Sequence, residues 1–280
     1  MRALLMQLNS TAKLPGITAD AACMAHLHMH AGQYATVIEH PQPPLWFSPT
    51  DWFNAHVPLW ERLLFPFRDS LLERSAPMRM LELGSWEGRS AVWLAQNLLA
   101  PFVAAGGAAA DASALVCVDH CDLMRADAGA ERCAKLNYNV NLTGLRMHCK
   151  VMPDFTVPAL TELLHRGCVF DFVYVDASHT RSDALLDAML AWRMVEQGGI
   201  VIFDDYEWPN HERTSPQHPA EGIDAFVSVH REELEIVHCG YQLAVRRIVP
   251  AFCGFEWRDA PKHRLNALTA EGGAMWRGRM

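Results

Sequence analysis

Residues 171–206, DFVYVDASHTRSDALLDAMLAWRMVEQGGIVIFDDY, constrain this chain more than any other stretch. Phe172, Val173, Tyr174 and Val175 are a short apolar run of β-formers, the pattern of a strand covered on both faces. Asp176 closes the run, and Ala177, Ser178 and His179 follow at once. From Ser182 the period changes. Leu185, Met189, Trp192 and Val195 recur at helical spacing, with Asp183, Asp187 and Glu196 between them. Gly198 and Gly199 are expected to stop that helix as a C-cap. Residues 200–203 form the next strand, ended by Asp204, Asp205 and Tyr206. Two strands joined by a helix run parallel with a right-handed crossover, so their carboxyl ends share one rim. Asp176, His179, Asp204 and Asp205 are therefore expected to meet where open α/β sheets bind ligands. Three carboxylates packed together are costly unless a cation or a proton neutralises them. Mg²⁺ takes oxygen ligands of this kind; a hydrogen-bonded acid cluster is the competing reading.

The remaining chain supplies the sheet around this unit. Half of its 280 residues are apolar, enough for one substantial core with an added lobe. Residues 80–83 read as the first strand, 84–88 as its turn and 89–99 as a helix. Gly84 and Gly88 let that turn close tightly and a ligand come near, and the N–H groups opening the helix favour an anionic group. The Ala/Gly-rich residues 101–113 read as a surface insertion. Residues 115–118 are the second strand, and the acid after it, Asp119, is of the kind that accepts hydrogen bonds from ribose hydroxyls. A helix over 127–140, a strand over 147–151 ending toward Asp154, and a helix over 157–165 lead back to residue 171. After Tyr206 come a polar loop over the rim (207–220), a helix (222–232) and an antiparallel pair, 234–239 and 241–248, around Gly240. This makes seven strands, an α/β doubly wound, mostly parallel sheet.

Three segments are expected: an N-terminal helical extension or lid (1–75), the α/β domain (76–250) and a tail (251–280) that packs loosely or in a homo-oligomer. Within the first, His26, His28 and His30 lie in a helical stretch, 18–31. Residues spaced i, i+2 and i+4 do not share one helix face, so the reading is a solvated His-rich helix rather than a metal cluster. Residues 40–44 are a linker by composition. Ser48 or Thr50 is expected to cap the next element. Its stripe is Trp52, His56, Leu59, Trp60, Leu63 and Leu64, interrupted by Pro58, and it packs on the sheet or lids the site.

A net charge of −8 and the lack of a Lys/Arg cluster argue against a nucleic-acid partner. No run approaches the ~20 apolar residues that span a membrane, and the N-terminal apolar patch is too short for a signal peptide, with organelle targeting left open. The eight cysteines contain no CxxC pair and several sit in apolar runs. They read as thiols in a reducing, cytoplasmic setting.

With these pieces in place, the chain resembles the class I S-adenosylmethionine-dependent methyltransferases over about residues 51–248. It is most similar to a group with a strand ending in Asp-(Gly/Ala)-Ser-His and a later Asp-Asp-Tyr, which includes macrolide sugar O-methyltransferases. Residues 81–90, LELGSWEGRS, look like that family's first motif. The resemblance implies cofactor contacts by Glu82, Gly84, Ser85, Gly88 and Ser90, with the two glycines beneath the methionine part and Ser90 at its amino acid end. It implies Asp119 on the ribose and Asp154 toward the adenine, with Asp176 also beside the cofactor. Catechol-type members carry an acid after the fourth strand, a base three residues on and an acid pair after the fifth. By that resemblance Asp176, Asp204 and Asp205 hold Mg²⁺ and His179 is the base, where catechol enzymes use Lys. The Ala/Gly insertion and Ala177, where Gly is common, depart from the pattern.

The expected function is methyl transfer from S-adenosylmethionine to a hydroxyl of a small sugar, polyol or catechol-like molecule. The acceptor must lose a proton, which a neutral His within reach takes near pH 7. In the competing reading, Asp176 and His179 only cap the following helix. Two other classes remain: an NAD(P)-dependent oxidoreductase, against which the missing third Gly of GxGxxG counts, and a non-catalytic interaction subunit, which has no need of the acid–His set.

Overall fold

The computed structural model describes residues 44–121 and 126–250, with the side chains of all but 126–130. All of these lie in one compact unit, Met1–Pro250; a second unit, Ala251–Met280, lies outside the described residues, as do the helix expected over 18–31, its three His, and the tail. A 3₁₀ turn (Asn54–His56) leads into α1 (Val57–Glu73), followed by β1 (Arg79–Leu83) and α2 (Arg89–Leu94). α2 continues through a π turn (Ala95–Leu99) into α3 (Ala100–Ala105), and α4 (Gly107–Ala112) precedes β2 (Ala114–Asp119). Then come α5 (Ala126–Leu142), β3 (Cys149–Pro153), α6 (Thr156–His165), β4 (Phe170–Val175), α7 (Arg181–Trp192) and β5 (Val195–Phe203). α8 (Ala220–Val229), β6 (Leu234–Cys239) and β7 (Leu243–Arg247) finish the unit.

The seven strands form one sheet in the order β3-β2-β1-β4-β5-β7-β6. The first five are parallel, and β7 runs antiparallel to both β5 and β6. This Rossmann-like, doubly wound α/β architecture is the one expected. Because side chains alternate across a strand, the apolar strands feed two cores. Leu81, Leu83, Val173, Val175, Val201 and Phe203 face α6, α7 and α8 through Leu160, Ala188, Trp192 and Phe226. Met80, Cys117, Phe172, Tyr174 and Ile202 face the other way, onto Trp60 and Leu64 of α1, Leu94 of α2 and Leu136 of α5. The stripe of the N-terminal extension is thus core where it reaches Trp60 and Leu64. Pro58 sits in the first turn of α1, where its missing N–H costs nothing.

Several local expectations are corrected. Neither Ser48 nor Thr50 caps the segment; Asp51 does, its Oδ1 accepting from the N–H of Phe53 at 3.0 Å and of Asn54 at 2.9 Å. The Ala-rich insertion is helical, as its composition favours, split where Gly106 takes φ +70° and anchored by buried Phe102. β3 starts two residues later than expected, behind a 3₁₀ turn (Arg146–His148). The helix of the central unit ends at Trp192, not at the glycine pair. Val195, read as helical, pairs with Phe170 instead, and Gly198 and Gly199 lie inside β5 beside an irregularity in the β4–β5 ladder. Gly199 has no room for a side chain, since a Cβ would lie 3.0 Å from the Asp171 carbonyl oxygen.

The expectation that the cysteines are thiols is corrected for three of them. Cys121 and Cys133 are disulfide-bonded, with Cα atoms 5.2 Å apart, and Cys168 is also in a disulfide; Cys117 and Cys149 are buried thiols and Cys239 an exposed one. Sequence spacing could not show that α5 brings Cys133 back to the end of β2. Among the described residues, no helix is long and apolar enough to cross a membrane.

Candidate active site

The parallel ladders run one residue past the strands and fix a common rim. The Gly84 N–H donates to Val118 O at 2.8 Å, Asp176 N–H to Leu83 O at 2.8 Å, and Asp204 N–H to Val175 O at 2.9 Å. The Asp154 N–H donates to Asp119 O at 3.1 Å. The chain switches sides between β1 and β4, which opens a crevice there. Gly84 sits at its floor with φ +84°, and a Cβ would lie 1.8 Å from the Asp176 carbonyl oxygen. Only glycine permits that approach. Of four non-glycine residues with positive φ among the described residues, three are on this rim: Trp86 (49°), Cys121 (51°) and Asp205 (57°). Such backbone strain persists where surrounding contacts hold it and collects at functional sites.

A cleft of about 540 Å³ runs along the rim. Gly84, Asp119, Asp154, Asp176 and His179 line it, with Trp52, Trp86 and Phe155 as aromatic walls. Glu82, Ser85, Gly88 and Ser90 do not line it. Glu82 is fully buried beneath it, and burial outweighs the neighbouring Ser85 and Ser90 hydroxyls and the Cys117 thiol and pushes its pKa up to about 7. Gly88 begins α2 with φ +84°, where a Cβ would meet Leu136 at 2.8 Å. Asp119 accepts four hydrogen bonds. Its Oδ2 takes the N–H of Ser85 (3.1 Å) and of Trp86 (2.8 Å), and its Oδ1 takes the Cys121 N–H (2.7 Å) and Arg132 Nη2 (3.1 Å). The Arg132 guanidinium lies 4.2 Å from the Trp86 ring centre.

At the other end stands the acid cluster. Tyr174, two residues before Asp176 on the same strand face, donates to Asp204 Oδ2 at 2.9 Å and approaches Asp176 Oδ2 at 3.2 Å. Gln242 donates to Asp204 Oδ1 at 2.8 Å and accepts from Trp60 Nε1 at 2.8 Å, so α1 and the turn leading into β7 both anchor the cluster. Asp205 is shared: His179 Nε2 lies 2.9 Å from Oδ2, and Tyr241, stacked on His56, donates to Oδ1. Burial would raise Asp205, but the hydrogen bonds from His179 and Tyr241 outweigh it and hold the carboxyl below its usual value. The hydrogen bond to Asp205 raises His179 against its partial burial. Burial, then the charges of Asp204 and Asp205, push Asp176 well up, and burial followed by Asp205 pushes Asp204 up.

Asp176, His179 and Asp205 each offer one ligand atom, all within 4.8 Å of one another. Asp204 stands beside them with both oxygens already accepting. Thr180, not Asp176 or His179, caps α7, accepting from the Asp183 N–H at 3.3 Å. The His179 ring is 4.6 Å from that of Trp208, which borders a more open depression of about 750 Å³ over the 207–213 loop. Tyr174 could have been found from its spacing to Asp176. Gln242, Tyr241, His56 and Arg132 reach the site only through tertiary packing.

No curated protein matches this chain in sequence. Among solved structures it is similar to an O-methyltransferase from Bacillus cereus in complex with SAH (15% identity, covering 87% of this chain and 97% of that one, TM-score 0.46). It is also similar to the O-methyltransferase TomG from Streptomyces achromogenes in complex with SAM (16%, 88% and 96%, TM-score 0.48). A third, the MycE methyltransferase of the mycinamycin pathway with Mg and SAH, has 15% identity over 83% of this chain and 56% of that one, TM-score 0.47. Residues 81–206, from β1 to the acid pair after β5, match the family model described as a methyltransferase domain.

Proposed function

We propose that this protein is an S-adenosylmethionine-dependent O-methyltransferase that acts on a hydroxyl of a small molecule and uses a divalent cation such as Mg²⁺. The observation that carries the reading is a cleft lined by Asp119 at one end and by Asp176 and His179 at the other, with His179 paired to Asp205 just outside it. The match of residues 81–206 to a methyltransferase-domain model supports it. In this reading Asp119 exchanges protein donors for the ribose hydroxyls, Gly84 admits the cofactor, and the acid end receives the acceptor.

The donor chemistry suits a hard cation. Burial and mutual repulsion leave Asp176 and Asp204 with unfavourable negative charge, which a divalent ion offsets. Asp176 and Asp205 would hold it, with Asp204 joining them on release of one of its two donors. When bound, S-adenosylmethionine supplies an electrophilic methyl group, and the cation lowers the pKa of the acceptor hydroxyl. His179 takes the acceptor proton. A carboxylate only accepts hydrogen bonds, so the ring N–H at Nε2 points at Asp205 and Nδ1 is the basic atom of the neutral ring. Asp205 holds the ring in that tautomer and stabilises the imidazolium that results.

The test is a screen of sugars, catechols and other polyols with isotopically labelled S-adenosylmethionine, with and without chelator, alongside calorimetry with S-adenosylmethionine and NAD. Labelled product that depends on the metal supports the reading. Binding of NAD but not of S-adenosylmethionine overturns it, and full activity in excess chelator removes the cation.

A further inference from the structure

We infer that the Cys121–Cys133 disulfide is a redox site that sets how well the adjoining cleft takes a ribose-bearing ligand, the dithiol form binding more tightly. The inference rests on the proposed cofactor. A carboxylate offers about four acceptor positions, and protein donors fill all four at Asp119. The two donors on Oδ2 are backbone groups of the turn after β1, which Gly84 and the ladder fix. The two on Oδ1 come from Cys121 itself and from Arg132, the residue before Cys133. The disulfide therefore ties together the two groups that a ribose diol must displace.

The backbone gives the direction. Cys121 is held at φ +51°, a region a residue with a Cβ leaves when its tether is cut. On returning to negative φ, its N–H turns away from Oδ1. The Arg132 guanidinium, at the end of α5 that is no longer cross-linked to the residues after β2, shifts along the Trp86 face with its charge still covered. Oδ1 is then open to a diol. Cys121 is buried and Cys133 half-buried, so the reductant enters from the α5 side. A thiolate of a dithiol reductant attacks Cys133 Sγ and releases the Cys121 thiolate, which takes a proton. The second thiol of the reductant then breaks the mixed disulfide and frees Cys133 as a thiol. Two electrons and two protons pass to the protein, and the reductant leaves as its own disulfide.

The experiment is calorimetric titration of S-adenosylhomocysteine into the full chain after diamide oxidation and after dithiothreitol reduction, with the Cys121–Cys133 bond read by mass mapping of peptides from a non-reducing digest. Cys133→Ser is titrated in parallel, its folding checked by a cooperative thermal transition. The reduced wild type is expected to bind about tenfold more tightly than the oxidised, the equivalent of one displaced charged hydrogen bond. Cys133→Ser should match the reduced wild type under both treatments. Equal affinity in the two forms, tighter binding by the oxidised form, or a peptide map showing no Cys121–Cys133 bond after diamide each overturn the inference alone. Binding by neither form overturns it together with the cofactor reading.

Discussion

His179 Nε2 lies 2.9 Å from Asp205 Oδ2, although the two residues leave the sheet from different strands. The positive φ of Asp205 turns its carboxylate back toward β4, and Tyr241 pins the other oxygen. If Asp205 acts through His179, the two contributions are not independent. His179→Ala is expected to lower kcat by about 10²–10⁴, the usual range for a general base, with little change in cofactor affinity. Asp205→Asn removes both the ring's partner and a proposed cation ligand, so its loss should be at least as large, and the double variant should lose less than the product of the two single losses. Additive losses in a double-mutant cycle on kcat would separate the roles.

Gly84 and Gly144 both have positive φ, +84° and +74°, but only Gly84 faces backbone. Gly144→Ala meets open space and should cost about 1 kcal/mol, the price of the left-handed conformation alone. Gly84→Ala must also push Asp176 off the rim, so a loss above ~3 kcal/mol is expected, together with lost cofactor binding. Urea unfolding of the two variants makes the comparison, and equal losses would mean that the crevice floor has slack.

The parallel unit and its rim were legible because a buried strand, a 3.6-residue period and the acid after each strand are local signals. Asp176, His179 and Asp205 met as expected on that ground alone. What was not legible has a common cause. Gly198 and Gly199 carry the signature of a helix end, yet Val195 gains more from pairing with Phe170 in the sheet than from another helical turn. Likewise no pattern in the sequence links Trp60, Gln242 and Asp204, which are joined by two hydrogen bonds across α1, the turn leading into β7 and the rim. Such contacts exist only once the antiparallel edge has folded against β5.

Asp187, on α7, is buried with Thr156 as its one hydroxyl neighbour, and burial outweighs that contact and pushes its pKa up to about 6. The folded state therefore binds its proton more tightly than the unfolded chain, where an aspartate titrates near 3.8. Above pH 6 the native carboxylate is charged and its burial penalty is complete. As pH falls from 6 to 3.8 the penalty lifts by about 1.4 kcal/mol per unit, and below 3.8 none is left. Asp187→Asn removes the charge at every pH, and whatever its amide costs does not vary with pH. Its stability relative to wild type should thus be highest near pH 8 and fall by about 1.4 kcal/mol between pH 8 and pH 5, most of it below pH 6. Denaturant melts at pH 8, 6 and 5 test this; a difference independent of pH would mean that the Thr156 hydroxyl offsets the burial of the charge.

Asp176 and Asp183 provide a matched pair for the cation. Both lie at the β4–α7 junction and border the same cleft, but only Asp176 has its ligand atom grouped with those of His179 and Asp205. A ligand that binds only the folded state raises stability by RT ln(1 + [L]/Kd), about 2.7 kcal/mol at a hundredfold excess over Kd. Mg²⁺ should therefore raise the melting temperature of the wild type and of Asp183→Asn alike. Asp176→Asn should lose that response and, relieved of one buried negative charge, melt above the wild type when no metal is added. Differential scanning fluorimetry over a Mg²⁺ series reads both effects. The two should appear together, because the repulsion that destabilises the empty cluster is the same charge that would draw the ion in. A Mg²⁺ response that survives in Asp176→Asn would place the ion elsewhere on the chain.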